Sequence, residues 1–150
     1  MARDLAALAR RNRFGSLLGN YAAFVKHIER STGPLLDLFI RVWLAQIFWL
    51  SGLLKLADWQ HALELSRSEY PVSWMDPVTA AYLGIGIELV APVLLAFGLA
   101  TRFAALALLA LSLVIQFNYI ALDTHLFWAA LFAWYVIFGA RQISIDARVA

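Results

Sequence analysis

The stretch that decides the fold is residues 35–57, LLDLFIRVWLAQIFWLSGLLKLA. Between Arg41 and Lys55 it carries no charge, and it is long enough for a helix to cross the ~30 Å hydrocarbon core of a bilayer. Three more apolar stretches follow at residues 78–100, 103–122 and 126–140, and the last reaches spanning length with its polar flanks. The sequence therefore predicts an all-α integral membrane protein, a four-transmembrane-helix antiparallel bundle.

The composition excludes most other classes of protein. Hydrophobic residues make up 63% of the 150 residues and charged residues 15%, whereas globular domains have about 45–50% and about 25%. A soluble domain of this size cannot bury so much apolar surface. The absence of cysteine excludes disulfides, thiol redox pairs and iron–sulfur clusters, and the three scattered histidines form no metal motif. We therefore predict no metal site and no covalently bound cofactor.

The first 33 residues form a basic segment. They carry six basic and two acidic side chains, a net charge of +4. Apolar residues recur in this segment at helical spacing: Phe14, Leu17, Leu18, Tyr21, Phe24, Val25 and Ile28. The pattern predicts an amphipathic helix on an anionic membrane surface, with a signal peptide as the alternative. The predicted divisions are a cytoplasmic amphipathic segment (1–33), a membrane domain (34–146) and a short cytoplasmic tail (147–150).

The charges of the connecting segments predict the orientation. Basic residues concentrate before the first predicted span, at Arg102 between the second and third, and at Arg141 and Arg148 after the fourth. The connection between the first and second spans, residues 58–76, contains one arginine and four acidic residues. Because basic loops stay in the cytoplasm, both termini are expected there, in a multi-pass protein of a bacterial-type inner membrane.

The connection over residues 58–76 is also the longest. Asp58 is expected to cap a short helix over residues 59–65, and Pro71 and Pro77 to interrupt the chain before the second span. Such a connection is either a lid or a plain connector. The other connections are short, so successive helices should be antiparallel neighbours.

Two charged residues fall at membrane depth. Glu88 lies about ten residues from the outer end of its span, and Arg41 lies ~8 Å inside the inner end of the first. A charge at that depth costs at least ~2.5–3.5 kcal/mol. We therefore predict an intramembrane ion pair between Arg41 and Glu88. The pair either links the first two helices structurally or presents a protonatable carboxyl to a ligand, and a neutral buried Glu88 is the third alternative.

Helical phase gathers polar and aromatic residues in the outer half of the predicted bundle. On the first, third and fourth helices they fall within faces of ~60°. The candidate ligand-binding residues are Lys55, Ser51, Gln116, Tyr119, Asp123, His125 and Trp128. A quinone would find hydrogen-bond partners, aromatic walls and lipid for its tail there. Polar contacts and aromatic packing between helices are the alternative, and no catalytic residue can be assigned.

A series of short motifs runs through the predicted spans and the segments that follow them. They are RVWLA (41–45), FWLSGLLKL (48–56), DW (58–59), EYPV (69–72), AAYLG (80–84), ELVAPVLL (88–95), FGLATR (97–102), His125 and SID (144–146). Together they resemble the DoxX family of small four-helix membrane proteins, over residues 35–146. The EYPV motif is most similar to the subgroup encoded beside genes for metal-binding peptides, and GAR (139–141) departs from the family pattern.

The resemblance implies a membrane redox role. The family includes membrane subunits of a thiosulfate:quinone oxidoreductase and proteins associated with redox enzymes or metallophore-type gene clusters. It therefore implies a quinone-facing or quinone-binding accessory subunit whose electrons come from a protein partner. The alternatives are a non-enzymatic scaffold in metal-peptide handling and a small transporter. Expected partners are the lipid bilayer, a redox or biosynthetic enzyme and a second copy of the chain, and no nucleic acid.

Overall fold

The computed structural model describes residues 2–69, 72–118 and 123–149, and within them it contains helices and no strand. The helices are α1 (Ala2–Ala57), α2 (Trp59–Glu64), α3 (Pro77–Phe97), α4 (Thr101–Asn118), α5 (Asp123–Phe138) and α6 (Asp146–Val149), with a π-helical turn at Leu65–Glu69 after α2. The all-α prediction is confirmed. Two segments, Gly19–Ala57 and Pro77–Phe97, are long and apolar enough to cross a membrane, and Thr101–Phe117 and Thr124–Phe138 are shorter apolar helices.

The chain divides into two compact units, Met1–Leu36 and Asp37–Ala150. In the first unit the side chains of residues 19–32 are exposed. They include four apolar residues at the spacing of one helix face, namely Tyr21, Phe24, Val25 and Ile28. This part of the chain is helical, as predicted, and its position on a membrane surface stays a prediction.

The second unit has one apolar core to which four helices contribute. Its buried residues are Leu44 and Phe48 of α1, Ala91 and Leu95 of α3, Ala104, Ala105 and Leu108 of α4, and Phe132 and Tyr135 of α5. Small alanine side chains let helix backbones approach closely, as in membrane proteins.

The outer surface of the second unit carries many exposed apolar side chains. Leu54 is 71% exposed, Phe103 78% and Phe117 81%. Helices that are hydrophobic on every side belong in a large protein core or in a bilayer. Since these side chains are exposed in the isolated chain, lipid is the environment that suits them.

Helix ends follow local capping chemistry. The Asp58 carboxylate accepts a hydrogen bond from the His61 backbone N–H at 3.0 Å, which confirms the predicted cap and short helix. Asp76 caps α3 in the same way, and Pro77 occupies the first turn, where its missing N–H costs nothing. Pro71, the other predicted interruption, lies outside the described residues.

The end of α3 is fixed by Gly98 and by the C-terminal tail. Gly98 adopts the left-handed conformation (φ 65°) that ends a helix in a Schellman motif. The Asp146 carboxylate then accepts hydrogen bonds from the backbone N–H groups of Ala100 and Thr101, both at 2.8 Å, where α4 begins. Partial burial raises the pKa of Asp146, but these hydrogen bonds outweigh it and hold the pKa below its usual value.

Replacing Gly98 with alanine should destabilise the second unit by about 2 kcal/mol or more. A left-handed alanine costs about 1–2 kcal/mol, and its Cβ would collide with Ser144 and lie 2.7 Å from Nη1 of Arg41. The measurement is the free energy of unfolding in detergent micelles. Gly86→Ala is the matched control, because that Cβ would meet nothing within 4 Å. Equal stabilities of the two variants would contradict this account of the turn.

Candidate functional site

Glu88 is buried in the middle of α3, with 1% of its surface exposed. It lies against Gly52 of α1, where a Cβ would stand 3.0 Å from the Cβ of Glu88. This close approach brings two side chains of α1 to one carboxylate oxygen. Lys55 Nζ lies 2.6 Å from Glu88 Oε1, and the Ser51 hydroxyl donates to the same oxygen at 3.2 Å. The predicted ion pair between Glu88 and Arg41 is therefore wrong, since the partner is Lys55.

The error has a geometric cause. The prediction placed the end of the first span and the start of the second at the same depth. In the structure Gly52 lies five residues before the end of α1, whereas Glu88 lies eleven residues after the start of α3. At 1.5 Å per residue, α3 begins about 9 Å beyond the point where α1 ends. Glu88 consequently lies level with the Lys55 end of α1 and far from Arg41.

Arg41 is fully buried and has partners of its own. Its Nε lies 3.0 Å from the Asp37 carboxylate, one helical turn earlier. Its Nη1 donates to the carbonyls of Leu95 (3.2 Å) and Ala96 (3.0 Å), and its Nη2 donates to the carbonyl of Ile143. The carbonyls at a helix C-terminus lack partners within the helix and attract a cation. Arg41 thus caps α3 and holds the tail against it.

Asp37 was missed at the level of the sequence. Besides binding Arg41, its carboxylate accepts a hydrogen bond from the Arg141 backbone N–H at 3.3 Å, and its carbonyl accepts one from the Tyr135 hydroxyl. The available sign was the spacing, because an acid four residues before an arginine lies on the same helix face.

Two of the other predicted ligand-binding residues, His125 and Trp128, belong to an aromatic cluster. The Phe48 ring lies 5.4 Å from that of Trp128 and 5.1 Å from that of Phe132, and His125 packs edge-on against Trp128 at 5.1 Å. Gln116 is buried. Two more of the predicted positions, Tyr119 and the side chain of Asp123, lie outside the described residues.

Three buried polar atoms in this region have no hydrogen-bond partner among the described residues. They are Oε2 of Glu88, Oε1 of Gln116 and Nδ1 of His125. A buried polar atom without a partner costs about 1–3 kcal/mol, so nearly all are satisfied in folded proteins. A bound polar molecule or ordered water is the usual way to satisfy such atoms.

A cavity of about 390 Å³ opens beside Lys55, between α2, the first half of α3 and the second half of α4. Its size is within the range of small-molecule sites, and its wall is mostly apolar. Lys55 is the one predicted ligand-binding residue that lines it in the described part of the chain. The lining residues are Lys55, Ala62, Ser66, Val72, Ser73, Trp74, Met75, Ala80, Ala81, Leu83, Gly84, Ile85, Ile87, Ala110, Leu111 and Val114.

The connection between α1 and α3 forms one wall of this cavity. Ala62 and Leu63 of α2 are buried, and Ser66 in the π-helical turn is 1% exposed and donates to the Ala62 carbonyl. The sequence left open whether this connection is a lid or a plain connector. Its described residues pack as a wall of the cavity. Ser66 and Ser73, which add polar groups to the wall, were not predicted.

The predicted ligand-binding residues thus lie in two places. Lys55 lines the cavity and binds Glu88 together with Ser51, whereas His125 and Trp128 belong to the aromatic cluster and are not among the described lining residues. Buried charges inside a unit whose exposed surface carries many apolar side chains are typical of a membrane-embedded helical protein.

Comparison with known proteins agrees with this class. Residues 36–121 match the DoxX family model, and the chain belongs to the DoxX family. The matched region includes Arg41, Lys55 and Glu88 and ends before His125. No curated protein and no solved structure matches the chain at a significant level.

Thermodynamic coupling should connect Glu88 to Lys55 and not to Arg41. Removing one partner of a buried pair costs about 3–5 kcal/mol, whereas replacing both with apolar residues is close to neutral. A double-mutant cycle of Lys55→Met and Glu88→Leu should therefore give a coupling energy of several kcal/mol. The measurement is the free energy of unfolding of the four proteins in detergent micelles.

The control cycle combines Arg41→Met with Glu88→Leu. These residues share no partner, so their effects should add within about 0.5 kcal/mol. A larger coupling in the Arg41 cycle than in the Lys55 cycle would contradict the pairing.

Proposed function

We propose that α1, α3, α4 and α5 each cross a bacterial-type inner membrane, with both termini in the cytoplasm. At 1.5 Å per residue, the 18 residues of α4 and the 16 of α5 span ~27 Å and ~24 Å, which polar flanks extend. The distribution of arginine supports the orientation, because Arg102, Arg141 and Arg148 belong to the same end as Arg41.

Single cysteines test this topology directly, since the chain has none of its own. In intact spheroplasts a membrane-impermeant maleimide should label Ser68→Cys, on the exposed face of the α1–α3 connection, and should not label Val149→Cys. Both should react once the membrane is opened. Labelling of Val149→Cys in intact spheroplasts would contradict the proposed topology. It would mean that the orientation is reversed or that the number of spans is odd.

We propose further that the chain is a quinone-facing accessory subunit of a membrane redox system. The observation that supports this most is the apolar 390 Å³ cavity with the Lys55 ammonium in its wall. A quinone ring is flat and apolar with two carbonyl acceptors, and an ammonium is a donor for one of them. The chain has no cysteine to hold an iron–sulfur cluster, so in this proposal a protein partner supplies the electrons.

A second function is favoured by a different observation. The exposed apolar face of α1, at Tyr21, Phe24, Val25 and Ile28, has the pattern of a helix that docks on a surface. It supports the alternative of a membrane scaffold that anchors a partner enzyme in metal-peptide handling. Deleting residues 1–30 would release such a partner and leave the cavity intact.

Mild extraction should recover the protein with bound quinone, and Lys55→Gln should reduce the quinone content about tenfold. A hydrogen bond to a charged group contributes about 1.5–3 kcal/mol, and 1.4 kcal/mol is a factor of ten in affinity. The measurement is mass spectrometry of quinone per mole of protein. Lys26→Gln is the matched control, because Lys26 is the only other lysine and lies in the first unit.

His125→Ala separates the two halves of the predicted site. Because His125 is not among the described residues of the cavity wall, its loss should change the quinone content little. A loss as large as that of Lys55→Gln would place the ring at the aromatic cluster instead. Absence of quinone from the unsubstituted protein would contradict the proposed function itself.

A further inference from the structure

The Lys55 ammonium carries the charge of the cavity. Among the described lining residues it is the only one with a formal charge, and the other polar groups are the hydroxyls of Ser66 and Ser73 and the indole N–H of Trp74. An unneutralised cation in an apolar wall would select an anionic ligand, because charges attract strongly where water is excluded. The charge that a ligand meets therefore depends on what lies behind Lys55.

Glu88 lies directly behind this wall. Ile85 and Ile87 of α3 line the cavity, whereas the Glu88 side chain does not, and its Oε1 lies 2.6 Å from Lys55 Nζ. The pair is neutral as a unit. An anionic headgroup placed against Lys55 would also approach the Glu88 carboxylate, and repulsion between like charges is poorly screened in an apolar interior. A neutral acceptor oxygen meets no such repulsion.

The contacts of Glu88 do not suit a purely structural link. Lys55 and Ser51 both approach Oε1, while Oε2 is buried without a partner among the described residues. A buried ion pair seldom stabilises a protein more than apolar residues of the same size would, and least of all when one oxygen is left unsatisfied. An intramembrane charge kept at such cost is a sign of function.

We propose that Glu88 is the specificity-determining residue of the cavity. By neutralising Lys55 it restricts the cavity to uncharged amphiphiles whose flat head carries acceptor oxygens, and it rejects amphiphiles with a carboxylate or phosphate head. Glu88 acts through Lys55 and does not touch the ligand. This inference rests on the proposed function in taking the cavity as the ligand site.

The two lysines provide a direct test. The full chain, labelled with ¹⁵N at the lysine Nζ and reconstituted in phosphatidylcholine nanodiscs, gives one resonance for Lys55 and one for Lys26, which serves as an internal reference. Two probes are titrated, the neutral decylubiquinone and the anionic dodecanoate. The Lys55 resonance of the unsubstituted protein should respond to decylubiquinone at a concentration at least about tenfold lower than to dodecanoate.

Glu88→Gln should reverse this preference. The substitution raises the charge beside the cavity by one unit, so the ratio of the two affinities should move towards dodecanoate by about tenfold or more. Glu64→Gln is the matched control, because it removes the same charge from an exposed position on α2, where water screens it. Its ratio should equal that of the unsubstituted protein.

The double variant Lys55→Gln/Glu88→Gln distinguishes charge from packing. It removes both charges and keeps hydrogen-bonding side chains of similar length. Because this variant lacks Lys55, binding is measured by the intrinsic fluorescence of the protein. One of its six tryptophans, Trp74, lines the cavity. This variant should keep the preference for decylubiquinone, and it provides the comparison if Glu88→Gln alone does not fold.

The outcomes separate the two proposals. If the unsubstituted protein binds decylubiquinone and Glu88→Gln leaves the ratio unchanged, the specificity role is wrong and the quinone-facing function stands. The same holds if the double variant prefers dodecanoate. If the unsubstituted protein binds neither probe, or prefers dodecanoate, the quinone-facing function fails, and the specificity role fails with it.

Discussion

Arg41 imposes the constraint on which the rest of the second unit depends. A guanidinium with no exposed surface must find acceptors for its donors within the protein, because burying it unpaired costs several kcal/mol. It finds them in Asp37, in two carbonyls at the end of α3 and in the carbonyl of Ile143. Three of these acceptors are backbone atoms. The position of one side chain therefore fixes the paths of three parts of the chain.

Lys55, a second basic residue of α1, also needs partners for its donors, but its surroundings differ from those of Arg41. Lys55 lies fourteen residues, or ~21 Å, beyond Arg41 along α1. Arg41 is enclosed on every side, whereas Lys55 binds Glu88 on one side and lines an apolar cavity on the other. The buried Arg41 thus joins helix ends, whereas the partly buried Lys55 is the one formal charge among the described residues of the cavity wall.

Those parts of the structure that depend on local sequence could be predicted. The helices follow from hydropathy, and the Asp58 cap follows from the preference of a helix N-terminus for a side-chain acceptor. The partner of Glu88 could not, because it depends on the axial offset between α1 and α3, which the close contact at Gly52 sets. Nor could the cavity, since its volume depends on how α2 and residues 72–75 pack over α3. Hydropathy reports the length of a helix and says nothing of its register against a neighbour.

The tail contacts determine when the fold can be completed during synthesis. The first backbone N–H groups of α4 are bound by Asp146, and the last donor of Arg41 is bound by Ile143. Both acceptors come after α1, α3, α4 and α5 in the chain. Chains are made from the N-terminus, so α1, α3 and α4 are synthesised before the residues that complete their junction. The junction can close only once residues 143–146 have been made, and a chain cut before residue 143 would keep its helices and lack the contacts that hold their ends.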